Sequence, residues 1–298
     1  YYQNFSDAHN LMSYRHTRAH NSLLVNGIGQ PYSTEGYGSV MRAMGGQHIS
    51  YCLGDASHAY RGISNDPMWV DYFKQAGIEQ TPENGFGATP LTKYRRHVLM
   101  LHPHTVIVYD ELEASEAVRW EWLLHSPTEF KIDAVKKTLS TDNKTKGWVA
   151  VTQLFGGHVF TLSQTDRFVV PPAITGAEYP NQWHLTARVD GCSVTRFLAI
   201  IQVGDEAVSI INRDGDTFNV GDWTIKAVLD ASKAPELTVS HRTEQAVFSY
   251  GTDNPVLNGN FYSRQYTGSS LLYDEIDGAY QVVEMTDRSP ISTRVVNQ

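Results

Sequence analysis

The strongest constraint in this chain is a two-residue apolar rhythm that recurs along much of its length. Val118, Trp120, Trp122 and Leu124 alternate with Arg119, Glu121 and Leu123. Trp183, Leu185 and Ala187 alternate with Gln182, His184, Thr186 and Arg188, and Trp223, Ile225 and Ala227 with Thr224 and Lys226. Successive side chains of an extended backbone leave opposite faces, so each stretch reads as a strand with one face buried. Residues 98–101 with 105–109, and residues 194–203, are apolar on both faces and suit central strands. Convincing helical spacing occurs once. Asp66 can cap a helix, Pro67 suits its first turn, Trp69, Val70 and Phe73 form an apolar stripe, and Gly77 stops it.

Many short strands between turn signals imply an all-β fold: a large layered β-sandwich with one short helix, plus a smaller C-terminal β-module. A composition shift near residues 231–235 sets the boundaries at 1–235 for the sandwich and 236–298 for the module. That module is either separate or a continuation of the sandwich. The abundance of Tyr (16), with 6 Trp and 11 Phe, suits β-sheets and also sugar-facing surfaces; core packing is the default reading for most of these rings.

Charge and cysteine content narrow the partners. Lys+Arg total 24 against 32 Asp+Glu, a net charge of -8, which leaves no basic excess for displacing counterions from nucleic acid. An anionic polymer would need a locally positive groove. No apolar run is long enough to span a membrane. Cys52 and Cys192 could form one disulfide, and their spacing matches no metal motif. A chain that opens on YYQNFSDAH reads as a piece of a longer protein.

The densest polar cluster is residues 14–21, where Arg15, His16, Arg18 and His20 crowd together. If this segment is extended near His20, then His16, Arg18 and His20 share one side. A histidine there could be a metal ligand, a general base, a carboxylate binder or simply a hydrogen-bonded group at a strand mouth. Asn21 fixes the turn into the following strand, Ser22-Leu23-Leu24-Val25, which Asn26-Gly27 ends. Asp55 with His58 and the His102-Pro103-His104 turn have metal-like spacings but read better as structural. Asp110 is expected to organise a turn after its strand, and His125 to sit at a strand end.

The stretch from Arg18 to Gln30, RAHNSLLVNGIGQ, resembles the His-Asn-Thr/Ser signature of heparinase II/III-like polysaccharide lyases. The stretch GDASHAY (54–60), Arg95-Arg96-His97-Val98 through Val108-Tyr109-Asp110-Glu111-Leu112, and Glu121-Trp122-Leu123-Leu124-His125 resemble features that follow it in that family. The resemblance covers roughly residues 1–126 and thereafter is one of general character. It implies the β-sheet portion of an enzyme that cleaves uronic-acid polysaccharides by β-elimination. Its N-terminal α/α toroid would supply the catalytic groups upstream of Tyr1. It further implies zinc held by a His-Asp-His set, with His20 as the one ligand here. Arg15, His16 and Arg18 would then face substrate carboxylates or sulfates, or form a solvated face. The family reading places the protein in the bacterial periplasm or outside the cell and leaves a homodimer open. Two other classes compete: a non-catalytic carbohydrate-binding or domain-docking β-sandwich, and a metal-binding β-protein using His9, His16 and His20.

Overall fold

A computed structural model describes residues 4–133, 135, 138–143, 148–173, 181–204, 211–287 and 289–295. Ten strands build the first sheet: β1 (Leu23–Val25), β2 (Ser39–Gly45), β3 (Ile49–Asp55), β4 (Leu91–Leu101), β5 (Thr105–Ser126), β6 (Lys131–Asp133), β7 (Thr138–Asn143), β8 (Trp148–Gly156), β9 (Thr161–Thr165) and β10 (Trp183–Gly204). Their order is β2-β3-β4-β5-β10-β8-β7-β6, with β1 on β5 and β9 on β10. All these pairings are antiparallel. One short α-helix, α1 (Pro67–Gln75), packs Phe73 beside Leu11, Met12 and Phe86, with Trp69 against that cluster. Val70, expected in the stripe, is exposed. Gly77 follows the helix with a positive φ of 66°, which glycine adopts without a Cβ penalty.

The second sheet is formed by β11 (Asn212–Asp214), β12 (Thr217–Val220), β13 (Trp223–Ala227), β14 (Leu237–His241), β15 (Val247–Tyr250), β18 (Ser270–Ile276), β19 (Ala279–Thr286) and β20 (Ser289–Val295). A small hairpin, β16 (Val256–Leu257) with β17 (Asn260–Phe261), stands apart. The boundary drawn at residue 235 falls between β13 and β14, which are hydrogen-bonded neighbours. Residues 236–295 therefore continue a sheet begun before them. The sequence also predicts a strand around residues 292–296, of which residue 296 lies outside the described residues.

The sandwich core forms between the two sheets. Tyr51, Leu53, Leu99, Ile107, Leu198 and Ile200 of the first meet Phe218, Ile225, Val239 and Phe248 of the second. The opposite face of β5 and β10 holds a second core around Trp120, Trp122, Leu185, Ala187 and Phe197, closed by Tyr60 and Tyr94. The period-two rhythm of residues 118–124 is thus one face turned inward. Each large aromatic buries about 150–250 Å², which at about 25 cal/mol per Å² stabilises the fold by several kcal/mol.

A buried carboxylate ties the sheets at one end. Asp274 of β18 is 0% exposed and accepts the backbone N–H groups of His48 (2.9 Å) and Ile49 (2.8 Å) in the β2–β3 turn. It also bonds His48 Nδ1 at 2.7 Å. Gly46 lets that turn come close, because a Cβ there would strike the Asp274 side chain. Replacing Asp274→Ala strands two buried N–H donors and is expected to lower unfolding free energy by about 2–4 kcal/mol. Urea denaturation of both proteins checks this.

Candidate active-site segment

Residues 16–21 form a turn rather than a strand. A π-helix over Asn10–Tyr14 leads into a 3-10 turn at Thr17–Ala19, and His20 then returns to extended backbone (φ −127°, ψ 155°). The expectation that His16, Arg18 and His20 share one side of an extended segment fails, and His16 is the cause. Its ring is 0% exposed, and Nδ1 accepts both the backbone N–H (3.1 Å) and the Nε–H (3.0 Å) of Arg18. Its Nε2–H donates to Gly85 O at 3.0 Å. Glycines make the room: a Cβ on Gly85 would lie 2.6 Å from His16 Nε2, and one on Gly29 3.0 Å from His16 Cε1. Burial, with help from the Arg18 cation, pushes the His16 pKa down to about 3. A ring whose Nδ1 already accepts two N–H groups has nowhere to take a proton.

The three residues expected to face substrate therefore part company. His16 spends both nitrogens inside the protein. Arg15 lies over the rings of Trp69 (4.7 Å) and Phe5 (5.3 Å), and its Nε donates to Asn10 Oδ1 at 3.2 Å. Arg18 donates from Nη2 to Asn84 O at 3.0 Å and lines two cavities. One, of about 510 Å³, is shared with Arg119, Asn26 and Glu83; the other, of about 150 Å³, with Arg167 and His184. His20 is exposed.

Beside His20 stand two more histidines, paired in register across β5 and β10. His125 and His184 lie opposite each other, with their rings edge-to-face at 4.7 Å. His125 Nδ1 meets Asn21 Oδ1 at 3.1 Å, while Nε2 sits 2.8 Å from Arg18 O and 3.0 Å from His184 Nδ1. Two oxygen acceptors favour a doubly protonated ring. Burial and then the neighbouring His184 outweigh them, taking the pKa down to about 4. In the neutral ring, Nε2–H donates to Arg18 O at 2.8 Å. His184 Nε2 is buried and has no hydrogen-bond partner among the described residues.

The segment is anchored from below by a carboxylate. Asp110, 1% exposed, sits mid-strand in β5 instead of at the turn expected for it. It accepts Arg96 Nε (2.7 Å) and Nη2 (2.8 Å) and Trp122 Nε1 (2.9 Å). Arg96 then reaches on, donating from Nη1 to Asn21 O at 2.6 Å. Burial disfavours the Arg96 cation, but Asp110 more than offsets it and the pKa rises. Asn21 Oδ1 accepts the His125 backbone N–H at 2.8 Å, so this residue is fixed at both ends, in keeping with the structural role expected of it. Tyr60 OH donates to Leu23 O at 2.6 Å, one residue past Ser22. The hairpin beyond closes as a two-residue turn with positive φ at Asn26 (56°) and Gly27 (83°), as the Asn-Gly pair predicts.

Sequence reading passed over His184, whose only signal was a polar place in an alternating strand. It also gave little weight to His125, because strand register cannot be read from one strand. Asp55 caps Ser57 N–H at 3.0 Å, and exposed His58 stacks on Tyr37, so that pair is structural. His102 and His104 are exposed in their turn. Zinc needs three or four converging donors, and no group of three or more His, Cys, Asp or Glu is placed to hold a metal among the described residues. Among the same residues, no helix is long and apolar enough to cross a membrane.

No protein-family model matches the chain, and no curated protein matches it. Solved structures do. A heparinase III gene product with methylated lysines superposes with a TM-score of 0.52 at 13% identity, over 80% of this chain and 30% of that one. A crystal structure of heparinase III gives 0.51 at 14% identity, over 90% of this chain and 32% of that one. At such identity the likeness shows a shared fold. The chain spans about 30% of the length of the solved structures it matches.

The His16 environment sets a pH dependence. Unfolding restores its pKa to about 6.5, so between pH 6.5 and 3 the unfolded chain holds the extra proton. Stability then falls as pH drops, by at most about 1.4 kcal/mol per pH unit from this ring. His16→Asn keeps an acceptor near Arg18 but cannot protonate. It is expected to flatten that slope while lowering stability at neutral pH, as chemical denaturation across the pH range would show.

Proposed function

We propose that this chain is the β-sheet portion of a polysaccharide lyase that cleaves uronic-acid-containing polymers by β-elimination. The observation that supports this most is convergence. Tyr60, Arg96 with Asp110, and His125 come from three stretches far apart in sequence, and all bond to the backbone or side chains of residues 18–23. These are the stretches that carry the resemblance to heparinase II/III-like lyases. They act together to hold one exposed histidine, and the fold shared with heparinase III points the same way.

β-Elimination needs neutralisation of the uronate carboxylate, a base for the proton beside it, and an acid for the departing glycosidic oxygen. In this reading Arg18, held by His16, supplies positive charge at the cleft wall beside Arg15. His20 offers a neutral imidazole as the single zinc ligand from this chain, and zinc bound there would supply a fixed positive charge. The tyrosine acid/base and the remaining ligands come from an N-terminal toroid. Such an enzyme would work in the bacterial periplasm or outside the cell, where its polymeric substrate is found.

The test uses the gene's full product, supplied with heparan sulfate, alginate and ulvan. Release of unsaturated sugars, followed by ultraviolet absorbance, is expected on one of them. His20→Ala is expected to lose bound zinc and at least about 100-fold in turnover. Unchanged zinc content would refute the ligand assignment, and no unsaturated product on any uronate polymer would refute the lyase reading.

A further inference from the structure

A third cavity, of about 600 Å³, opens at the β8–β9 loop. Its walls are Leu154, Phe155, Phe160 and Leu162, with His158 and Arg213 as the polar members. That volume falls within the range of about 300–1,000 Å³ typical of small-molecule sites, and the lining has the expected balance of apolar wall and few polar groups.

The cavity is built into the fold. Gly157 N–H donates to Arg196 O at 2.9 Å, and a Cβ on Gly157 would collide with the Leu229 backbone, so only glycine lets the loop approach there. A Cβ on Gly156 would lie 3.1 Å from Phe160 Cδ1, which shows how closely that ring folds back over the loop. His158 Nδ1 lies 3.2 Å from Thr195 Oγ1, fixing the loop to β10.

Arg213 gives the cavity its chemical preference. Its guanidinium lies over the rings of Phe155 (5.5 Å) and Phe218 (5.2 Å), and its Nε donates to Gly215 O at 2.9 Å. Among the described residues no carboxylate pairs with it. A cation held by aromatic stacking beside an apolar wall suits an anionic head joined to an apolar body. A sugar would require hydrogen-bonding groups along the wall, and these side chains supply few.

We propose that this cavity is a ligand site, separate from the His20 segment, for a small amphipathic carboxylate whose head pairs with Arg213 and whose apolar body lies against Phe155, Phe160 and Leu162. Calorimetric titration of the protein with dodecanoate and with dodecanol tests it. Dodecanoate is expected to bind at one saturable site and dodecanol more weakly. Arg213→Ala, a change at an exposed position, is expected to weaken dodecanoate roughly tenfold and leave dodecanol unchanged. Leu162→Trp fills the cavity and is expected to abolish binding of both, with thermal unfolding confirming that the variant folds. If it does not fold, the Arg213→Ala comparison decides. Absence of saturable dodecanoate binding, equal affinity for the alcohol, or an Arg213→Ala variant that binds as well as the parent would overturn the proposal.

Discussion

The Asp110 carboxylate is the contact on which the candidate site depends. It is buried in the middle of a 22-residue strand and satisfied by Arg96 on one side and Trp122 on the other. A buried carboxylate left without partners would cost several kcal/mol. Asp110 therefore constrains the half-buried Arg96, whose Nη1 holds Asn21 O. The carbonyl belongs to the residue after His20. Burial energy in the sheet interior is in this way converted into a fixed backbone position at the surface.

Around that anchor, histidines take different roles because their surroundings differ. His16 is sealed in, and its two nitrogens are committed to Arg18 and Gly85, so it shapes the turn and stays neutral. His125 and His184 lie against each other between adjacent strands, with burial holding both below the usual range. Of these four histidines, His20 is the exposed one. One histidine is hidden in the turn, two are paired across neighbouring strands and the fourth is presented to solvent.

Much of the fold was legible because strands with one buried face leave a period-two trace. Residues 118–124, 183–187 and 223–227 are buried on the faces their alternation predicts. Helix α1 was legible from Pro67 and Gly77, though not the exposure of Val70. The site was legible as a set of stretches and not as geometry. His16 looked like a surface group because its partner Gly85 lies 69 residues away. Asp110 looked like a turn residue because nothing local reveals that β5 runs on to Ser126. His184 looked like strand filler because register with His125 is a tertiary fact.

Amide hydrogen exchange in an Arg96→Lys variant tests this account most directly. Lysine keeps a cation beside Asp110 but cannot bridge to Asn21 O at the same time. The amides of His20, Ser22, Leu123 and His125, which bond within or across this segment, are then expected to exchange roughly tenfold faster or more. Those of β12–β15 in the second sheet should keep their protection. Unchanged protection at His20 and His125, or an equal loss through both sheets, would contradict the claim that Asp110 and Arg96 specifically hold the His20 turn.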